Sequence, residues 1–104
     1  MTQPEPPRDV VGISLMVSAE TEAALEYLRA HYPDVTVSSR ACFYKIERRG
    51  SLDFDMAAIS SILGRDLDTD LFLVNMSSYY GRIVVSDGRV QIYSEPERKR
   101  GQDP

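Results

Sequence analysis

Ile83-Val84-Val85-Ser86-Asp87-Gly88-Arg89-Val90-Gln91-Ile92-Tyr93 reads as two short strand patterns joined by two residues. An Asp-Gly loop between strands is a hairpin signal, and a type I′ turn there requires positive φ at both central residues. Immediately upstream, Leu71 to Met76 is nearly all apolar. Apolar and polar residues do not alternate in it, so it reads as a strand covered on both faces. Further back, Asp55 can cap a helix whose buried face is Met56, Ile59, Ile62 and Leu63, with Gly64 at its C-terminal cap. Gly50 marks a turn before the short strand of Leu52 and Phe54. Cys42, Tyr44 and Ile46 alternate with Phe43, Lys45 and Glu47 as another strand, and Val35 and Val37 begin the one before it.

The first third of the chain completes the pattern. Val10, Val11, Ile13, Leu15 and Val17 form a β-rich run, with Ile13, Leu15 and Val17 on one face. Ser18 offers a helix N-cap, and Glu20 and Glu22 suit the positive end of the helix dipole. Ala24, Leu25 and Leu28 give that helix its apolar stripe, and Pro33 disfavours helical geometry at Tyr32. The predicted order is β-α-β-β-β-α-β-β-β. Helices separated by several strands indicate an α+β (mixed α/β) single-domain sandwich. Residues 1–8 contain three prolines and no large apolar anchor beyond Met1, and residues 96–104 contain no apolar side chain. Both are predicted to be mobile tails around a domain of residues 9–95.

Composition narrows the function classes. The chain has 104 residues, 42% hydrophobic and 27% charged, as an ordinary globular domain has. Its formal charge of −4 argues against nonspecific nucleic-acid binding, which depends on neutralising phosphates. No apolar stretch approaches the ~18 residues that a membrane span requires. The N-terminal Met-Thr-Gln-Pro-Glu-Pro-Pro-Arg lacks a basic start and an apolar run, so no membrane association and a cytoplasmic location are expected.

Reactive chemistry is sparse. Cys42 and His31 are the only residues of their kinds, which removes the usual materials of thiolate metal sites and catalytic triads. Cys42 reads as a buried small hydrophobe within a strand, and His31 as a favourable charge at a helix C-terminus. Asp66, Asp68 and Asp70 are similar to the start of a calcium loop, but Leu71 replaces the glycine needed there and no terminal Glu follows. They read as a solvated acidic turn. Phe43-Tyr44-Lys45 followed by Arg48-Arg49 mixes aromatics and cations, yet lacks the spacing of RNA-binding sheets. No catalytic residue, metal site or cofactor is therefore expected.

One segment stands out physically. Asn75-Met76-Ser77-Ser78-Tyr79-Tyr80-Gly81-Arg82 is polar and aromatic between two strong strand patterns. Tyr and Arg are enriched at binding hot spots. The plain alternative is a strand running through Tyr79 and Tyr80 with a bulge, which still turns one tyrosine outward.

The segment and its surroundings also carry a family pattern. Leu63-Gly64-Arg65, then Leu71-Phe72-Leu73-Val74-Asn75-Met76-Ser77-Ser78, then Gly81-Arg82 resembles the core of the coupling (effector) proteins of soluble diiron monooxygenases, those of methane, phenol, toluene, alkene and propane. Tyr32-Pro33-Asp34-Val35, Tyr44-Lys45-Ile46-Glu47 and Ile92-Tyr93-Ser94-Glu95 resemble further family positions. The resemblance implies a cofactor-free regulatory protein, not an enzyme, that binds a diiron hydroxylase component, with the reductase component as a competitor. It implies coupling of electron transfer and oxygen activation to hydroxylation or epoxidation. It also implies that Asn75, Met76, Ser77, Ser78, Gly81 and Arg82 bind the partner; Tyr79 and Tyr80 complete the expected partner-binding segment on the hot-spot argument above. Tyr79 and Tyr80 depart from the small residues that the methane enzyme's protein has there. The alternative reading, from strand and helix order alone, is a small-molecule-sensing α+β regulatory domain.

Overall fold

The computed structural model describes residues 9–94; the expected tails at 1–8 and 96–104 lie outside the described residues. Seven strands and three helices follow in the order β1 (Val10–Met16), α1 (Ala19–His31), β2 (Thr36–Ser39), β3 (Phe43–Arg49), β4 (Ser51–Asp55), α2 (Met56–Leu63), α3 (Thr69–Val74), β5 (Met76–Tyr80), β6 (Arg82–Ser86) and β7 (Arg89–Tyr93). They form two antiparallel sheets. Sheet A is four-stranded in the order β2-β3-β1-β5, and sheet B is three-stranded in the order β4-β7-β6. The α+β class holds.

The local signals act as their chemistry requires. The Ser18 side chain accepts the Thr21 N–H at 3.1 Å, satisfying a donor that the first turn of α1 leaves open. Asp55 does the same for Ala57 and Ala58 at 3.0 and 3.3 Å. Gly64 closes α2 in the left-handed region with φ 89°. The inner face of β1, Val11, Ile13 and Leu15, meets Ala24, Leu25 and Leu28 of α1, together with Ile46, Leu52, Phe54, Ile59, Phe72, Val90 and Ile92, in one buried cluster. Each of the Val, Leu, Ile and Phe side chains contributes ~1.5–3 kcal/mol on leaving water.

Four expectations about strand and helix boundaries and burial need correction. The segment from Leu71 is not a strand: α3 covers Thr69–Val74, and β5 begins only at Met76. Every position from Leu71 to Val74 is apolar, so no period distinguishes strand from helix, and the cap decides. Asp68 accepts the Leu71 N–H at 2.8 Å and so caps a helix. One face of that helix sends Phe72 against Phe54, ring centroids 4.9 Å apart, while Val74 is 73% exposed. Val17 does not share the buried face of β1. The strand ends at Met16, the Val17 N–H bonds to the Cys42 carbonyl, and its side chain is exposed. Cys42 itself is exposed and precedes β3, because β3 starts only where pairing with Met16 begins. Ile62 faces outward, since the eight-residue α2 buries only Met56 and Ile59 fully.

The hairpin forms as expected, with Ser86 opposite Arg89 and two loop residues. Its turn is not type I′: Gly88 has φ 84°, but no non-glycine among the described residues has positive φ, Asp87 included. Tertiary bonds orient this loop. The Gly88 N–H donates to Thr69 Oγ1 at 3.1 Å, and its carbonyl accepts the Met56 N–H at 3.0 Å.

A helical α3 makes adjacent apolar residues unequal. Phe72→Ala should destabilise by about 3–5 kcal/mol, and Val74→Ala by less than ~0.5 kcal/mol, measured by urea unfolding. Similar losses for both would instead indicate a strand buried on both faces.

Candidate functional site

The eight residues singled out by sequence run from the end of α3, along β5, into β6, and they do not share one role. Asn75 is the C-cap of α3; its side-chain amide donates to the Leu71 carbonyl at 3.3 Å and its own carbonyl accepts the Met16 N–H at 2.7 Å. It stitches α3 to β1. Met76 pairs with Leu15 and packs against the core. The β1–β5 register shifts between Ser14 and Leu15, leaving Ser77 as the extra residue of a bulge. Its hydroxyl donates to the Ser14 carbonyl at 3.3 Å. Ser78 and Tyr79 are exposed on the sheet edge, Tyr79 by 43%. The continuous strand with a bulge, the plainer of the two sequence readings, is what forms, and one tyrosine does turn outward.

Tyr80 crosses the sheet. It sits opposite Gly12, and a Cβ added at Gly12 would lie 2.5 Å from the Tyr80 ring. The ring thus occupies space that any other residue at position 12 would fill. Its hydroxyl donates to the Glu47 carboxylate on β3. Burial, then the bond and charge of Glu47, push the Tyr80 phenol well above the usual tyrosine range. It therefore stays a neutral donor wherever the protein is folded at ordinary pH.

Gly81 is the only residue between β5 in sheet A and β6 in sheet B. Its φ is 117°, and an added Cβ would come within 2.9 Å of Ile92 Cγ2 and the Tyr93 carbonyl and 3.0 Å of Val11 Cγ1. Arg82 follows, exposed, and makes no ion pair among the described residues.

Pairing brings β5 beside residues that sequence reading did not gather. Ser78 faces Ser14, Ser14 faces Lys45, and Lys45 faces Ser38. Phe43 and Arg40 stand at the next level, and with Ser14, Lys45, Ser78 and Tyr80 they line a trough of about 340 Å³. The available signal was Gly12-x-Ser14, two small residues on one face of an otherwise apolar strand. The aromatic and cationic run at Phe43–Arg49 is dispersed. Tyr44 turns inward to donate to Glu22 at 2.7 Å. Arg48 pairs with Asp34 at 2.9 Å and lies over the Tyr32 ring, and Arg49 pairs with Asp9. That is the amphipathic strand with cations at its end.

Other candidates fall into structural roles. His31 Nδ1 donates to the Tyr27 carbonyl at 3.0 Å, and its ring stacks on Tyr27. Asp68 is a cap. Among the described residues no three His, Cys, Asp or Glu side chains gather as a metal site, and no helix is long and apolar enough to cross a membrane.

The MmoB/DmpM family model matches residues 9–93. The chain is 32% identical over 93 residues to methane monooxygenase regulatory protein B of Methylococcus capsulatus, covering 84% of this chain and 66% of that protein, so it spans about two thirds of that relative's length. It is 25% identical over 89 residues to the propane 2-monooxygenase effector component of Rhodococcus jostii, covering 86% of this chain and 78% of that one. The fold matches a chain in a structure of the phenol hydroxylase–regulatory protein complex, with TM-score 0.74 and 20% identity over 83% of this chain and 99% of the other.

The corner residue should be intolerant of any side chain. Gly81→Ala combines a strained φ with close contacts and should cost about 2–4 kcal/mol of stability in urea unfolding. A loss under ~0.5 kcal/mol would contradict the described corner.

Proposed function

The chain belongs to the MmoB/DmpM family, and from that premise we propose that it is the regulatory (effector) component of a soluble multicomponent monooxygenase. In this reading it carries out no chemistry itself. It docks on a cytoplasmic diiron hydroxylase and couples electron delivery and oxygen activation to oxidation of the hydroxylase's substrate. The observation that carries the reading is the family match across nearly the whole described domain. The similar proteins are named regulatory and effector components, and the fold occurs in a phenol hydroxylase–regulatory protein complex.

The contact segment in this proposal is Asn75 to Arg82, with its exposed members as the contacts. Ser78 and Arg82 meet the partner directly, and Tyr79, paired opposite Ile13, reaches it from the open edge of β5. Asn75, Met76, Ser77 and Gly81 hold them in place, and Tyr80 spans the sheet beside them. A ligand that binds two hydroxylase conformations equally shifts neither, so docking must favour one conformation. The reductase, in this reading, competes for the same surface of the hydroxylase.

Adding the chain to hydroxylase, reductase and NADH should raise the product formed per NADH consumed, measured by paired product and NADH assays. Unchanged coupling and turnover would defeat the proposal. Tyr79→Ala and Arg82→Ala should each weaken hydroxylase binding by ~1–3 kcal/mol in titration calorimetry. Wild-type isotherms for both would remove them from the contact.

A further inference from the structure

We infer that the outer face of sheet A is a seat for one acidic α-helix of the hydroxylase, a reading that rests on the effector role proposed above. Three levels of paired residues shape this face. Thr36, Glu47, Gly12 and Tyr80 form one level across β2, β3, β1 and β5; Ser38, Lys45, Ser14 and Ser78 form the next; Phe43 and Met16 form the third, with Arg40 bonded through its N–H to the Phe43 carbonyl. None of these side chains belongs to the core. The outer levels are ridges, one made by the Tyr80 ring lying across β1, the other by Phe43 and Met16. The middle level is a floor of three serines and one lysine.

The dimensions suit a helix. Gly12 and Met16 are four residues apart on β1, so the ridges stand about 13 Å apart at the usual strand rise. A helix with its side chains is about 10–12 Å across. Serines on the floor allow close approach and offer hydroxyls to polar side chains. A floor of large residues would hold a helix away.

Charge selects the kind of helix. The chain is acidic overall, at −4, yet the cations here are free to meet an outside acid. Arg40 makes no ion pair among the described residues, and Lys45 has only Glu47 at 3.9 Å, whose carboxylate already accepts the Tyr80 hydroxyl. A carboxylate entering the trough meets both cations. The face is also continuous with β5, so a helix seated here touches Ser78 at the same time.

The test is a titration of the full chain against its cognate diiron hydroxylase at low and moderate salt. Arg40→Glu/Lys45→Glu should weaken binding by at least about 30-fold and flatten its salt dependence. The acid-removing control Glu26→Lys/Asp66→Lys, away from this face, should change affinity by less than about threefold. Ser78→Trp fills the trough from an exposed position and should also reduce binding by more than about tenfold. Unfolding midpoints are measured on every variant, so a folding defect is seen directly. Wild-type affinity in both Arg40→Glu/Lys45→Glu and Ser78→Trp would overturn the seat while leaving the effector role intact. Absence of binding by the wild-type chain would overturn both. Benzoate alone, a probe for a free aromatic carboxylate, should leave the Ser14 and Ser78 amide resonances unmoved. Saturable shifts there would reassign the trough to a small molecule and overturn the proposal.

Discussion

The chain passes between the two sheets three times, once through α2 and α3 and twice at a single residue, and the tighter of these two corners is Gly81. One peptide earlier, the chain is paired in sheet A at Tyr80; one peptide later, it is paired in sheet B at Arg82. Only a residue without Cβ fits, because Val11 of one sheet and Ile92 of the other close on it from both sides. Gly50 makes the matching joint between β3 and β4, its N–H donating to Asp9 and its carbonyl accepting from Ser94. Two corners therefore fix how the sheets cross, and the core fills the space they define. The direction in which Tyr79, Tyr80 and Arg82 point is a consequence of the Gly81 corner.

That rigidity has a functional meaning in the proposed role. A protein that biases the shape of another needs a surface whose own shape is settled, since ordering loops on contact subtracts from binding free energy. Here the contact segment is a strand rather than a loop. Its start is anchored by the Asn75 cap, its middle by the Ser77 bulge on Ser14, and its end by Gly81. Tyr80, laid over Gly12 and bonded to Glu47, ties the edge strand across β1 to β3. Of the side chains weighed as reactive, Asp68 caps α3 and His31 packs on the Tyr27 ring.

The parts of this architecture legible in the sequence were those set by local chemistry. Ser18, Asp55 and Gly64 announce helix ends because short polar side chains and a left-handed glycine satisfy orphan backbone groups within a few residues. The Asp87-Gly88 hairpin is local in the same sense, although its turn type is not, being held by Thr69 and Met56 from other elements. Leu71 to Val74 failed because a wholly apolar run carries no period, and the deciding cap, Asp68, lay in an acidic run read as solvent-facing. Cys42 and Val17 failed for a related reason: each continues an alternating pattern past the point where its strand stops. For the candidate site, composition exposed the segment from Asn75 to Arg82. Its other half, Gly12, Ser14, Phe43 and Lys45, is contributed by β1 and β3, and only strand pairing places it there. The separate functions of Asn75 and Tyr79 within one segment likewise depend on the bulge and the cap.

Hydrogen–deuterium exchange on the chain, free and saturated with its hydroxylase, tests the central claim of docking through sheet A most directly. Backbone amides of residues 76–82 and of the Ser14 and Lys45 level should gain protection in the complex, while β7 and the Asp87-Gly88 turn should exchange as in the free chain. Protection confined to sheet B, or none at all in a verified complex, would contradict it.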